Sequence, residues 1–292
     1  MIGLGSNRLT VCRRGGMRVT QAGRGGMEWL AGWRRPSWAS PYSAQATAAL
    51  KAQFPTQWPT IRDYGFAHPA LVPFINEDPM MVMSLIEGLG TRWLVGDGAS
   101  WVLINGFTID KDKWLTKFRY KLGNIAGCPI GSRNMNNSMR GFNTLYTSGR
   151  FDSKGESTGY SASGTIGILI DEDYTLVELT NKKVRQYRNS IGTYTDYAKN
   201  ETGQTQNYSL SPCLCVFGVH TRDGSVDTVS QVGNMKVSVA EFRDAATDGN
   251  KLLEIIPFKS ATREGMVDVI NATFHPNQGT GHFTTEEVFA AS

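Results

Sequence analysis

The sequence has few of the residues that common catalytic and metal-binding motifs require. Its four cysteines form no CxxC pair, and its four histidines show neither HxH nor HExxH spacing. A zinc site or a disulfide framework is therefore not expected. A GxSxG nucleophile elbow and a P-loop are also missing, which argues against two common classes of enzyme. We predict that the chain has no catalytic residues, no metal site and no cofactor, and that it is not an enzyme.

Long apolar runs are missing as well. No stretch is long and apolar enough to span a bilayer, and the N-terminus lacks the unbroken apolar run of a secretory signal. Cys213 and Cys215 lie two residues apart, so on a strand they would point to the same face. We interpret them as buried thiols that act as small hydrophobes.

The sequence is rich in short period-two runs separated by turn residues. From Trp114 to Lys121 aromatic and basic residues alternate, which is typical of a half-buried strand. Further strands are predicted over residues 101–104, 165–170, 174–179, 216–220, 235–242, 252–258 and 266–270, with turns at Asp223-Gly224 and Asp248-Gly249. Seven or more such strands predict an all-β sandwich or jelly roll.

The first forty residues differ in charge from the rest of the chain. They contain seven arginines and one acid, Glu28, which gives a formal charge of +6 and leaves −2 for all later residues. Tryptophans lie among the arginines, and both residue types are common anchors in interfaces. We predict an extended basic anchoring arm whose contacts come from Arg13, Arg14, Arg18, Arg24, Trp29, Trp33, Arg34, Arg35 and Trp38. Binding to nucleic acid is the alternative, but a protein neighbour is favoured.

The predicted arm extends through residues 43–84. An alanine-rich run from Ser43 to Phe54 predicts one short helix that ends before Pro55. The four prolines between Gln53 and Asp78 predict an extended segment over a surface. After Asp78-Pro79 the chain could form a capped helix or a buried strand. Two domains are predicted: an N-terminal anchoring and assembly arm over residues 1–84, and a β domain over residues 85–292.

The last part of the chain resembles the concanavalin A-like (laminin G-like) jelly-roll domain found in Bacteroidales phages and mobile elements. The resemblance rests on Ile256-Pro257-Phe258, on Gly265 to Phe274, and on Gly279-Thr280-Gly281 followed by Phe283, with Val267 where the family usually has Tyr. Ile86 to Val95 resembles the opening strand, and Cys215 to Gly224 resembles the central strand and its hairpin. The resemblance implies that the terminal strand pairs beside the first and that Phe283 returns to the core. It also favours a strand over the later half of residues 79–86.

The resemblance allows two kinds of site, an acidic site for glycan hydrolysis or calcium binding and an aromatic site for carbohydrate binding. Some relatives hydrolyse glycans with two carboxylates in one cleft or bind calcium. The acids that could do so here are Asp171, Glu172, Asp173 and Glu178, although turn formation explains the first three better. Carbohydrate binding needs only exposed aromatic and polar side chains, and the candidates for it are Tyr146, Tyr160, Tyr187, Tyr194 and Tyr197. The alternative is that these tyrosines rim the sheets or line subunit contacts.

The leading hypothesis from the sequence is a non-enzymatic virion structural protein, such as a capsid decoration, a head fibre or a tail component. An extracellular type of fold without an export signal fits a phage protein that is assembled in the host cytoplasm and released by lysis. Its expected partners are other virion proteins and further copies of itself, with a trimer expected from class alone. The alternative is a carbohydrate-binding adhesin that recognises a host-surface glycan. Neither hypothesis involves nucleic acid or a membrane.

Overall fold

The computed structural model of the chain describes most of the residues after 38. The described residues are 21–23, 26–28, 39–87, 91–106, 108–109, 115–123, 127–134, 140–143, 153–154, 171–179, 183–198, 208–209, 213–223, 225–230, 232–244 and 249–287.

Twenty-one strands and four α-helices are present among these residues. The helices are α1 (Ala44–Gln53), α2 (Trp58–Ala67), α3 (Val72–Glu77) and α4 (Val82–Ile86), with 3-10 helices at Pro69–Leu71 and Pro79–Met81. The strands are β1 (Gln21–Gly23), β2 (Gly26–Glu28), β3 (Arg92–Asp97), β4 (Val102–Asn105), β5 (Thr108–Ile109), β6 (Leu115–Leu122), β7 (Ile130–Asn134), β8 (Arg140–Asn143), β9 (Ser153–Lys154), β10 (Tyr174–Leu179), β11 (Lys183–Arg188), β12 (Thr193–Ala198), β13 (Tyr208–Ser209), β14 (Cys213–Val216), β15 (Val219–Asp223), β16 (Val226–Ser230), β17 (Asn234–Arg243), β18 (Lys251–Lys259), β19 (Glu264–Asp268), β20 (Thr273–Pro276) and β21 (Thr284–Glu287).

Two sheets form the body of the protein. The larger has ten strands in the order β12-β11-β10-β6-β17-β18-β19-β20, with β3 and β21 joined beside β17. The smaller has five strands in the order β16-β15-β7-β14-β4. One hydrophobic core contains side chains from both sheets, including Phe118, Val237 and Ile255 from the larger and Ile130 and Val216 from the smaller. The predicted all-β sandwich is therefore confirmed.

The alternation in β6 explains how one strand serves both the core and the surface. Phe118 and Tyr120 are fully buried, whereas Lys117 and Arg119 are only partly buried. Successive side chains of a strand point to opposite faces, so the aromatic residues enter the core and the basic ones lie on the outer face. The predicted hairpins that turn near Asp223-Gly224 and Asp248-Gly249 are also present, as β15–β16 and β17–β18.

A layer of helices covers part of the outer face of the larger sheet. The predicted first helix is confirmed, since Ser43 caps α1 and accepts a hydrogen bond from the Ala46 amide at 3.1 Å. The prediction of only one short helix is wrong, as is the extended segment between Gln53 and Asp78. Pro59, Pro69 and Pro73 each lie in the first turn of a helix. A proline is tolerated there because the first amides of a helix have no partner within it.

The helical layer packs onto the sheet through a second core. This core joins Leu50, Ile61 and Ile75 of the helices to apolar side chains of the sheet, namely Val239, Ile256, Phe258 and Val267. The described part of the predicted arm from Tyr42 to Met83 therefore packs against the larger sheet, and the division into two domains at residue 84 stays a prediction. The role of residues 1–38 as an anchoring arm stays a prediction, because the nine predicted anchor residues lie outside the described residues.

A buried ion pair ties the helical layer to the opening strand. Asp78 accepts a hydrogen bond from Arg92 Nη1 at 2.5 Å and another from the Lys259 amide at 2.8 Å. Arg92 Nε also lies 3.1 Å from Glu287 Oε1 on β21. Asp78 precedes a 3-10 helix and α4. The prediction of a strand in the later half of residues 79–86 is therefore wrong, and the opening strand begins only at Arg92.

The C-terminal strand closes the sandwich as the resemblance implies. β21 pairs antiparallel with β3, and Phe283 is fully buried with its ring 4.8 Å from that of Phe217. Gly279 and Gly281 precede it; a side chain at Gly279 would overlap the loop after β3, and one at Gly281 would overlap the Asp97 carboxylate at the end of β3. None of the described helices has the length and apolar character needed to cross a membrane.

Candidate functional site

The candidate site lies on the outer face of the larger sheet, at the end formed by β10, β11 and β12. Gln186 points inward and donates a hydrogen bond from Nε2 to Tyr120 Oη at 2.8 Å. Its strand neighbours Arg185 and Tyr187 therefore point outward. The β11–β12 turn closes at Gly192, whose φ of +67° favours glycine and whose amide donates to the Arg188 carbonyl at 2.9 Å.

Four outward side chains form what we call the tyrosine cluster: Arg185, Tyr187, Tyr194 and Asp196. Tyr187 and Tyr194 are direct cross-strand partners with ring centroids 4.5 Å apart. The Arg185 guanidinium lies 4.4 Å from the centre of the Tyr194 ring, and its Nε lies 3.2 Å from Asp196 Oδ1. Tyr194 is 54% exposed, a large fraction for an aromatic residue. The cluster thus presents an aromatic ring, a guanidinium and a carboxylate together at the surface.

Polar contacts link β6, the start of β10 and the β11–β12 turn beside this cluster. Arg119 Nε donates to Asp173 Oδ1 at 2.9 Å, and Asn189 Nδ2 donates to the same oxygen at 3.0 Å and to Thr175 Oγ1 at 2.9 Å. On its other side the Arg119 guanidinium lies 5.0 Å from the Trp93 ring. The face next to the tyrosine cluster is therefore polar and structured, unlike the apolar half beneath the helices.

Two of the four acidic residues considered for catalysis or calcium binding are held in ion pairs. Asp171 lies in the turn before β10 with φ +60°, which confirms the turn interpretation at this residue. Glu172 Oε2 accepts a hydrogen bond from Arg188 at 3.1 Å, and Asp173 is paired with Arg119. Glu178 lies on β10, and only the backbone of this residue is described. Within the described residues, no three histidine, cysteine or acidic side chains converge on a metal position.

The histidines and cysteines occupy separate structural environments. His220 is buried with Nε2 3.8 Å from Asp227 Oδ1, whereas the side chain of His282 is 88% exposed. Burial lowers the pKa of His275. Cys213 and Cys215 are buried free thiols on β14, and burial raises the pKa of Cys213 to about 11. Thiols with raised pKa values are poor nucleophiles at neutral pH, which fits their interpretation as small hydrophobes.

Only two of the five predicted tyrosines are described with their side chains, and the structure brings these two together. Tyr146 and Tyr160 lie outside the described residues, and of Tyr197 only the backbone is described. Sequence reasoning missed Arg185 and Asp196, which complete the cluster. The available signal was their spacing, because each lies two residues from a tyrosine along its own strand, Arg185 from Tyr187 and Asp196 from Tyr194, and so shares the face of that tyrosine.

Comparison with known proteins gives little further information. No protein-family model matches the chain, and no curated protein matches it significantly. Among solved structures, the chain is similar to a protein from Bacteroides ovatus ATCC 8483 that has been proposed to bind carbohydrate. The identity is 8% and the TM-score 0.43, over 68% of this chain and 60% of that protein. A likeness of this size supports no argument about function.

Proposed function

We propose that this chain is a non-enzymatic carbohydrate-binding protein and that the tyrosine cluster is its binding surface. The observation that carries the proposal is the exposed Tyr194 ring beside the Arg185–Asp196 ion pair. An aromatic ring offers an apolar surface for the C–H face of a sugar. A guanidinium donates hydrogen bonds and a carboxylate accepts them, so the pair matches neighbouring hydroxyl groups.

The surroundings of the cluster support binding without catalysis. Glycoside hydrolysis needs two carboxyl groups on either side of the scissile bond, about 5 to 10 Å apart. The described acids near the cluster are held in ion pairs, Asp196 with Arg185, Asp173 with Arg119 and Glu172 with Arg188. We therefore assign these carboxylates to hydrogen bonding and to the structure of the surface.

A glycan array followed by titration calorimetry on the best glycan tests this proposal. Replacing Tyr194 by Ala should weaken binding about tenfold, because stacking on an aromatic ring contributes about 0.5–1.5 kcal/mol beyond buried area. Replacing Ile270 by Ala is the matched control, because Ile270 is a similarly exposed apolar residue on the β19–β20 hairpin. An array without hits, or equal losses in both variants, would overturn the proposal.

A second candidate function is structural, and the charge of the first forty residues favours it. Seven arginines and three tryptophans in that segment suit attachment to a larger particle, such as a phage capsid or tail, on which the sandwich would be displayed. Residues 39–287 have their own two cores. A chain lacking residues 1–38 should therefore stay folded but no longer join particles. Normal incorporation of this truncated chain into virions would contradict the structural role.

A further inference from the structure

Two lysines are direct cross-strand partners on the outer face of the larger sheet. Lys121 of β6 pairs with Lys236 of β17. Their strand neighbours Tyr120 and Val237 belong to the main core, so both lysines point outward, where each is partly buried. Like charges directly opposite each other destabilise a sheet. We call these two residues the lysine pair, and the cost of keeping it points to a role outside the fold.

The surroundings of the lysine pair carry an excess of positive charge. The Lys121 ammonium lies 5.6 Å from the centre of the Trp93 ring, and the Arg119 guanidinium lies 5.0 Å from the same ring. Two acids belong to this face and already have basic partners: Asp173 is paired with Arg119, and Glu286 with the second lysine of the pair. Three positive and two negative side chains are thus described around one tryptophan ring.

One row of cross-strand partners links the tyrosine cluster to the strand of Lys121. Tyr194 is the partner of Tyr187, Tyr187 of Thr175 on β10, and Thr175 of Arg119 on β6. Neighbouring strands are about 4.8 Å apart, so Arg119 lies about 14 Å from Tyr194 across the sheet. Lys121 lies two residues, or about 7 Å, further along β6. The lysine pair and the tyrosine cluster are therefore about 16 Å apart on one face of one sheet.

We propose that the ligand of the tyrosine cluster is an acidic polysaccharide, and that the lysine pair binds a carboxylate or sulfate group of the same ligand chain. This inference rests on the proposed function. A sugar unit stacked on Tyr194 would direct the following units along the row toward Arg119. An anionic group between the two ammonium groups would accept a hydrogen bond from each and remove their mutual repulsion. Binding then accounts for a pair that the fold alone does not favour.

Nucleic acid is the other common polyanion, and this face suits it less well. Binding to DNA neutralises several closely spaced phosphates with lysine and arginine. Here the carboxylates of Asp173, Asp196 and Glu286 lie on the same face, where they would oppose a phosphate backbone. A polysaccharide carries hydroxyl groups between its acidic groups, and these hydroxyls can donate hydrogen bonds to the carboxylates.

Titration of the full chain with matched pairs of glycans tests the proposal. Each pair is an acidic glycan and its neutral counterpart, such as polygalacturonate and its methyl ester, or dextran sulfate and dextran. The wild type should prefer the acidic member, and the preference should shrink at about 1 M salt, where the Debye length is about 3 Å. Lys121→Gln and Lys236→Gln should each lower this preference about tenfold, the effect of one lost hydrogen bond between charged groups. Lys51→Gln is the matched control, since Lys51 also lies over a tryptophan ring, that of Trp58 at 5.1 Å, but in the helical layer.

Urea unfolding of Lys121→Gln separates binding from support of the Trp93 ring. Removing one charge of a like-charge pair should leave the urea midpoint equal to or above that of the wild type. A lower midpoint together with equal losses of binding for both members of a glycan pair would mean that the lysine holds the ring in place. That result would overturn the proposal.

The failure of this proposal differs from the failure of the proposed function. Equal binding of both members of each pair, weakened by Tyr194→Ala, would refute only the acidic ligand. Binding of the acidic members that depends on Lys121 but not on Tyr194 would refute only the tyrosine cluster. An absence of binding to any glycan would refute both. A DNA oligonucleotide that binds more tightly than every glycan, with the same dependence on Lys121, would overturn the choice of a polysaccharide.

Discussion

Glu264 provides the sharpest test of how the C-terminal segment closes the sandwich. Its Oε1 accepts hydrogen bonds from Asn277 Nδ2 at 2.9 Å and from the Phe283 amide at 3.2 Å, and lies 3.2 Å from His282 Nδ1. Its Oε2 is paired with Lys259 Nζ. One carboxylate therefore holds both ends of the loop that carries Gly279 and Gly281, and Phe283 enters the core directly after it.

Replacing Glu264 by Gln should destabilise the protein by about 2 kcal/mol, because hydrogen bonds to charged groups contribute about 1.5–3 kcal/mol. The glutamine oxygen can still accept from Asn277 and the Phe283 amide, but its amide group would face Lys259 Nζ, one donor against another. The control is Glu286→Gln, since Glu286 is half exposed and its pair with Lys236 lies at the surface. Exposed pairs contribute about 0–1 kcal/mol. Urea unfolding, monitored by tryptophan fluorescence, measures the loss of stability in each of the two variants.

The pH dependence of the stability of the wild type and of Glu264→Gln adds an independent check. Burial raises the pKa of Glu264, but hydrogen bonds from Lys259, Asn277 and Phe283 outweigh this and lower the pKa below its usual value. A pKa lower in the folded than in the unfolded chain stabilises the fold above the unfolded pKa, and this contribution disappears as the pH falls through the folded pKa. The stability difference between wild type and Glu264→Gln should therefore shrink below about pH 4. A difference that is constant with pH, or no larger than in Glu286→Gln, would refute the reasoning.

Four further substitutions test the packing and the turns of the fold, each by the urea midpoint at constant m-value. Phe283→Ala should cost about 3–5 kcal/mol, because it removes a fully buried ring from the main core. Gly281→Ala should cost about 1–3 kcal/mol, because the new methyl group would overlap the Asp97 carboxylate. Gly106→Ala, with φ +85° but open space around it, should cost only about 1 kcal/mol. Tyr42→Phe should cost about 1 kcal/mol, because it leaves the buried Ile61 carbonyl without the hydroxyl that donates to it at 2.6 Å.

The sandwich could be predicted from the sequence because its strands carry a period-two signal. β6 alternates along its length, and the hairpins are marked by Asp-Gly turns. The helical layer could not be predicted in the same way. Its helices are short, and Pro59 and Pro73 suggest extended chain unless the first turn of a helix is considered. Helices of this length gain most of their stability from tertiary packing, which a local pattern does not contain.

The candidate site was predictable in part for a related reason. Exposed tyrosines in a polar context pointed to Tyr187 and Tyr194, but several tyrosines had the same local signal. What distinguishes these two is the cross-strand register that makes them partners and brings Arg185 and Asp196 to the same face. Register depends on which strands pair and on the length of the turn between them. The sequence of one strand indicates on which face of the sheet a side chain lies, but it does not identify the neighbours of that side chain on other strands.

The position of the helical layer explains why the proposed site lies at this end of the larger sheet. Val239, Ile256, Phe258 and Val267 make the outer face of β17, β18 and β19 apolar, and the helices cover it. The outer face of β6, β10, β11 and β12 is instead polar at Arg119, Thr175 and Arg185, so water can cover it without a second layer. Because the helices cover the apolar half, we expect a ligand of the larger sheet to bind at this second half, where Tyr194 is exposed.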